Sequence, residues 1–157
     1  MVERHRIVPD PIRDRDSLDR PHYVDYFTMP APEHMQAAAS PTDWARAVCT
    51  LTPAAVAVWR GVLGLRLHPG APDHIGGWRI GAETESWTRV EAESWLLGAH
   101  VVFGLESNEL SLATFVHYES PAAKLVWPPV AAVHQRSVPI MMRQGAKTLA
   151  TADGSAA

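Results

Sequence analysis

The order of elements along residues 74–149 constrains the fold of this chain more than any other feature. Segments of alternating apolar and polar residues run from His74 to Glu119 with few interruptions, and a long amphipathic segment, Pro121 to Leu149, follows them. Alternation with a period of two is typical of β-strands, and apolar residues at steps of three and four indicate a helix. We therefore predict an α+β fold in which a curved antiparallel sheet is closed by one long C-terminal helix, with a cavity between them.

The composition indicates one globular domain without a polyanionic partner. The 157 residues suit a single domain, and 46% of them are hydrophobic and 20% charged. A net charge of -3 argues against nucleic-acid binding. Cys49 is the only cysteine, and the longest uncharged run, Ala47 to Trp59, is too short and too proline-interrupted to span a bilayer. We expect a soluble cytoplasmic protein that has no cofactor and does not insert into membranes.

The chain divides into three parts. Residues 1–21 mix arginines with aspartates and have no apolar period, which predicts a mobile or surface-hugging N-terminal arm. Residues 22–149 contain all the periodic segments and form the single predicted domain. The small and polar residues 150–157 predict a flexible tail.

One strand and two short helices are predicted at the start of the domain. Aromatic and β-branched residues favour a strand over His22–Met29. At Ser40-Pro41-Thr42-Asp43, a capping hydroxyl, a proline and a first-turn acid are typical of a helix start, and Thr52-Pro53 repeats this signal. Two short helices should therefore follow the first strand.

A hairpin dominates the predicted sheet. Leu96–Glu106 and Glu109–Glu119 alternate around a turn at Ser107-Asn108, a register that pairs Leu105 with Leu110 and His100 with Phe115. The apolar face should point toward the C-terminal helix, and its central residues are Leu97, Val101, Phe103, Leu112 and Val116. The other face is smaller and more polar, but it has an apolar centre made of Val102, Ala113 and Phe115. Such patches usually mark contacts, which favours a homodimer through the face around Phe115.

The C-terminal helix carries a histidine in its apolar stripe. That stripe consists of Trp127, Ala131, His134, Val138, Met141 and Gly145. Pro128-Pro129 and Pro139 each remove a backbone donor, so the helix should be bent or interrupted there. An interior histidine can be a hydrogen-bonded structural residue, a ligand-binding group or a general base. The stripe alone leaves these roles of His134 open.

Other polar residues carry weaker signals. His100 and His117 fall on one face of the sheet and could bind a metal with Glu106 or Glu119, but ligand spacing along two strands is a weak signal, so no metal site is predicted. No GxGxxG, phosphate-loop, HExxH or GxSxG pattern occurs in the sequence. Nucleotide-binding, zinc-protease and hydrolase functions therefore have no support.

Several short motifs, in the order strand, two helices, antiparallel strands and closing helix, carry a resemblance to a known superfamily. They are Asp25-Tyr26-Phe27, Trp44, Leu63-Gly64-Leu65, Gly77-Trp78-Arg79-Ile80, Ala113-Thr114-Phe115-Val116, and Trp127 with its spacing to His134. From about Tyr23 to Lys147, the chain resembles the START-like (SRPBCC) helix-grip superfamily and, within it, a bacterial family of domains of unknown function. The resemblance implies a helix-grip fold that elsewhere holds lipids, sterols or polyketides and sometimes cyclises or dehydrates them. It transfers no catalytic residue, and the double proline departs from the superfamily's uninterrupted closing helix.

Three classes of function remain. We predict a binding protein for a small hydrophobic molecule, with its cavity between the sheet and the C-terminal helix. The alternatives are a cavity enzyme of the cyclase or dehydratase type and a non-catalytic homodimeric interaction protein, so whether the chain is an enzyme stays open. The residues expected to bind the ligand are His134, Trp127, Tyr118, Thr114, Tyr26, Trp78 and Met141.

Overall fold

The structure is a computed structural model that describes residues 1–32, 35–50 and 52–154. Its strands are β1 (Glu3–His5), β2 (Tyr23–Pro30), β3 (His74–Ile75), β4 (Trp78–Glu83), β5 (Trp87–Glu93), β6 (Leu97–Glu106) and β7 (Glu109–Tyr118). They form one seven-stranded antiparallel sheet in the order β1-β2-β7-β6-β5-β4-β3. The predicted α+β class, with a curved antiparallel sheet and a long C-terminal helix, is confirmed.

The helices follow the predicted start signals. They are α1 (Asp10–Arg13), α2 (Met35–Ala38), α3 (Pro41–Val48), α4 (Pro53–Val56), which continues as a π-helix over Ala57–Val62, and α5 (Ala123–Gly154). Ser40 and Asp43 form a capping box at the start of α3, and the Thr52 hydroxyl accepts a hydrogen bond from the Ala55 amide in α4. The sequence patterns predicted neither α2 nor the π-helical continuation. In the described part of the chain, no helix is both long enough and apolar enough to cross a membrane.

The C-terminal helix is longer and more regular than predicted. It continues to Gly154, so it includes residues 150–154 of the predicted flexible tail, while residues 155–157 lie outside the described part of the chain. It also runs without interruption through Pro128, Pro129 and Pro139. Pro128 and Pro129 are exposed on the helix surface, where water can satisfy the carbonyl groups that lose their amide partners.

The predicted hairpin register is confirmed. Leu105 pairs with Leu110 and His100 with Phe115, and both turn residues, Ser107 and Asn108, have positive φ angles of 52° and 63°. Two left-handed residues in succession match the type I′ turns that join closely paired strands. Because side chains alternate between the two faces, this register directs the predicted apolar row toward α5.

Helices α3 and α5 cover the inner face of the sheet. Trp44 of α3 is fully buried, and its indole N–H donates to the Ser111 carbonyl oxygen at 3.1 Å. Where the two helices cross, a Cβ atom on Gly145 would lie 2.9 Å from atoms of Trp44 and Val48, so glycine permits the close approach. Met142, rather than the predicted Met141, is fully buried in this core, and Met141 is half-buried beside it.

Residues 1–21 lie against the sheet, as a surface-hugging arm would, and the mobility of this segment stays a prediction. Strand β1 pairs with β2 at the edge of the sheet, and α1 lies on the outer face, opposite α5. Val8 and Ile12 are buried against this face, with 5% and 6% of their surface exposed. The segment thus contributes a second, smaller apolar cluster, because two well-spaced apolar side chains suffice to anchor an otherwise charged stretch.

The apolar centre of the outer face is covered in the monomer. Val102, Ala113 and Phe115 are each at most 2% exposed because the N-terminal segment packs on them through Val8 and Ile12. The exposed patch from which a homodimer was predicted is therefore absent from this surface. Pairing of two copies through Phe115 stays a prediction, and it would require the N-terminal segment to leave its place.

Candidate functional site

A cavity of about 60 Å³ lies between the inner face of the sheet and α5. Helices α3 and α4 and the π-helix complete its walls, and its lining consists of Val48, Cys49, Thr50, Ala55, Trp59, Trp78, Ala99, Val101, Phe103, Leu112, Thr114, Trp127, His134, Val138 and Met141. A single buried water needs about 10–15 Å³, whereas an engineered cavity that admits benzene measures about 150 Å³. The cavity as it stands has room for a few water molecules or a very small solute.

Most of the residues predicted to bind a ligand meet at this cavity. His134, Trp127, Thr114, Trp78 and Met141 all contribute to its lining. The inner-face prediction and the stripe on α5 are the two signals that bring them together.

Two predicted residues lie elsewhere. Tyr26 packs on the outer face beside Val8 and Ile12, because it alternates with the inward-facing Asp25 and Phe27 along β2. Tyr118 lies at the end of β7, where its ring stacks on His22 with 4.6 Å between the ring centroids. Neither side chain lines the cavity.

Behind His134 lies a buried acid that the sequence analysis did not assign to the site. The Asp25 carboxylate is inaccessible to solvent, and its Oδ2 atom lies 3.2 Å from Nε2 of His134. The Thr114 hydroxyl oxygen lies 3.1 Å from the same ring nitrogen. The hydroxyl of Tyr23 donates to Asp25 Oδ2 at 2.6 Å, and the side-chain amide of Gln135 donates to the Tyr23 hydroxyl at 2.8 Å. These residues form one polar network, from the cavity wall to the half-buried Gln135.

The partners of Asp25 keep its carboxylate ionised. Burial acts to raise its pKa, but the hydrogen bond and charge of His134, together with hydrogen bonds from Tyr23 and Thr114, outweigh burial, so the pKa lies below its ordinary value. Burial and the nearby Asp25 carboxylate both raise the pKa of Tyr23. Tyr23 therefore stays protonated and serves as a hydrogen-bond donor to the acid.

The lowered pKa of Asp25 predicts a stabilising contribution that acid removes. Between the lowered folded value and the unfolded value of about 3.9, the unfolded chain binds more protons, so stability rises with pH across this window. The contribution is complete above the window and is lost as the pH falls through the folded value. Urea denaturation across this range should show a steeper loss of stability in acid for the wild type than for Asp25→Asn. Parallel pH profiles would contradict an ionised, stabilising Asp25.

The arrangement fixes the imidazole ring and its chemistry. A carboxylate on Nε2 favours the tautomer with its proton on that nitrogen and fixes the orientation of the ring. Trp59 and Trp127 flank the ring, with centroid distances of 6.2 Å and 6.1 Å. Among the described residues, Nδ1 of His134 has no hydrogen-bond partner. The site thus combines an oriented histidine, a buried acid and an apolar cavity.

The other predicted histidines belong to the outer face. His100 Nδ1 lies 2.7 Å from Asp16 Oδ1, so this pair fastens the N-terminal segment to β6. His117 Nδ1 lies 3.3 Å from the Arg20 carbonyl oxygen. Within residues 1–32, 35–50 and 52–154, no three histidine, cysteine, aspartate or glutamate side chains are arranged to hold a metal ion.

Comparison of the chain with models of protein families, with curated protein sequences and with solved structures gives no match. The interpretation of the site therefore depends on its geometry.

Proposed function

We propose that this protein binds a small, mostly apolar molecule in the cavity between the sheet and α5, with His134 as the polar anchor. The observation that carries the proposal is a single oriented histidine, held by a buried acid, in an otherwise largely apolar lining. Binding pockets for small molecules typically combine apolar walls with a few placed polar groups. With its proton on Nε2, the imidazole offers Nδ1 as an acceptor to a ligand hydroxyl group.

The architecture also supports assigning the chain to the helix-grip type, as the sequence resemblance implies. A curved antiparallel sheet packed under one long C-terminal helix is the arrangement that this type shares. The cavity volume of about 60 Å³ limits the ligand, however, because lipids and sterols need far more space. We therefore propose a ligand of about the size of one aromatic ring, which the cavity can hold only when a wall moves outward.

A cavity enzyme is the second candidate, favoured by the Asp25–His134 pair. A carboxylate that holds one ring nitrogen of a histidine fixes the tautomer and aims the other nitrogen, as general-base catalysis requires. Native mass spectrometry of protein purified from its own host distinguishes the two functions. A co-purifying mass that stays constant during incubation indicates a binding protein, whereas a mass that changes with the wild type but not with an Asp25→Asn/His134→Phe variant indicates an enzyme.

Phenol and benzene test the polar anchor, since they differ only by one hydroxyl group. We expect wild-type protein to bind phenol more tightly than benzene in calorimetric titrations, because His134 or Thr114 satisfies the hydroxyl. In the Asp25→Asn/His134→Phe variant, the advantage of phenol should fall by about tenfold, since an unpaired buried hydroxyl costs about 1–3 kcal/mol. The double substitution removes both members of the Asp25–His134 pair and so avoids a lone buried carboxylate.

Val101→Ala is the matched control. It alters an apolar part of the same lining and leaves the polar network intact, so it should change the affinities for phenol and benzene equally. Equal affinity of the wild type for both compounds would contradict the anchor. Binding of neither compound at millimolar concentration would contradict a ligand-binding cavity.

A further inference from the structure

We infer that residues 53–62, formed by α4 and the π-helix, are a lid that swings away from the cavity to admit the ligand. The inference rests on the proposed function, because a lid has a role only if the cavity is filled from outside. Every residue of this lid segment is described, and none of them is buried. Apart from Cys49 and Thr50, which follow α3, the other lining residues belong to the sheet, to α3 and to α5, which carry the main core.

The lid segment touches the cavity through two side chains. Ala55 and Trp59 are the parts of its lining that come from this segment. The Trp59 ring packs edge-on against Trp78 and His134, with centroid distances of 5.8 Å and 6.2 Å. Aromatic pairs of this kind are attractive beyond the effect of the area that they bury. Trp59 therefore acts as the latch that holds the segment over His134.

Firm attachments lie at the two ends of the segment. Val48 before it and Leu63 after it are at most 3% exposed. At the C-terminal end, Gly64 has a φ angle of +64°, a left-handed conformation that glycine adopts without strain. Besides Trp59, the Arg60 guanidinium fastens the segment by donating to the Leu67 carbonyl oxygen at 2.9 Å. An element held at its ends, with a glycine at one of them and these two side-chain attachments between, is suited to open as a unit.

The helix type and the cavity volume agree with this motion. π-helical turns are rare and occur frequently at functional sites. A closed volume of about 60 Å³ is less than half of the about 150 Å³ that admits benzene, so an aromatic ligand cannot enter or remain unless a wall moves. None of the residues of the lid segment is buried, so its outward movement disrupts little of the core.

Cys49 provides a direct test of the motion. It is the only cysteine of the chain, it lines the cavity, and its thiol is buried although other parts of the residue are partly exposed. N-ethylmaleimide is larger than the closed cavity, so its reaction with Cys49 in the native protein reports opening. We expect the wild-type labelling rate to be independent of urea at low concentrations, because local opening exposes little new surface. We expect Trp59→Ala to raise this rate at least tenfold.

Ile12→Ala is the matched control, since it removes buried apolar surface on the outer face, away from the lid segment. It should leave the labelling rate in the absence of urea within about twofold of the wild type, while urea denaturation records its loss of global stability. Three outcomes would overturn the lid: labelling that rises with urea from the lowest concentration, equal acceleration in both variants, or wild-type labelling as fast as that of free glutathione. The labelling experiment needs no ligand. It can therefore contradict the lid while the phenol and benzene titrations support ligand binding, and it can support the lid while the titrations contradict ligand binding.

Discussion

Replacing His134 with phenylalanine is expected to lower the free energy of unfolding by about 3 kcal/mol, because a buried carboxylate loses a hydrogen-bond partner. The substitution keeps most of the ring volume, so lost packing contributes little. The loss arises because the Asp25 carboxylate, which is inaccessible to solvent, is left without its histidine partner. Urea denaturation at neutral pH, followed by tryptophan fluorescence and by circular dichroism, measures it.

The Asp25→Asn/His134→Phe double variant tests whether the loss of stability comes from the unpaired Asp25 carboxylate or from another effect of the His134 substitution. Asparagine is uncharged and can still accept the hydrogen bond from Tyr23 that Asp25 accepts at 2.6 Å. We expect the double variant to regain at least half of the stability that His134→Phe loses. A double variant as unstable as the single one would show that the charge of Asp25 is not the cause.

The strands that could be predicted from sequence are those for which local patterns suffice. The hairpin of β6 and β7 combines alternation over two ten-residue strands with a turn at Ser107-Asn108, and a shift by one residue would expose its whole apolar row. The start signals at Ser40 and Thr52 are equally local, since each cap lies within one helical turn.

The buried acid Asp25 could not be assigned from local patterns, because the residue that stabilises it lies far away in the sequence. Alternation along β2 places Asp25 on the same face as Phe27, but an acid on an inward face is stable only with a partner. That partner, His134, comes from α5, and no local pattern links the two positions. Combining the inward positions of β2 with the polar residue in the α5 stripe would have suggested the pair. The same alternation would have removed Tyr26 from the ligand site.

The packing of the N-terminal segment on the outer face could not be predicted from periodic patterns either. Residues 1–21 have no apolar period, which favoured an arm, yet the isolated side chains of Val8 and Ile12 are enough to dock the segment. The available signal was the apolar centre of the outer face, which needs a cover. A second copy of the chain and a segment of the same chain would both remove this apolar surface from water. The sequence pattern therefore does not distinguish between these two covers.

Replacing Phe115 with glutamate distinguishes these two covers and should have the largest effect on stability. Phe115 is 1% exposed beneath the N-terminal segment, so the new carboxylate would be buried in an apolar cluster. Burial of an unpaired charge is among the few changes that cost about 4 kcal/mol or more, so we expect the variant to be largely unfolded at room temperature. Circular dichroism and thermal melts measure this outcome.

Leu125→Glu is the matched control, because it introduces the same charge at an apolar residue that is 82% exposed. It should change stability by no more than about 0.5 kcal/mol, as surface substitutions usually do. Sedimentation of the wild type and of both variants completes the experiment. If the outer face joined two copies instead, Phe115→Glu would stay folded and convert a dimer into a monomer. A dimeric wild type with a folded, monomeric Phe115→Glu variant would therefore contradict the cover by residues 1–21. A monomeric wild type with an unfolded variant is the result that this cover predicts.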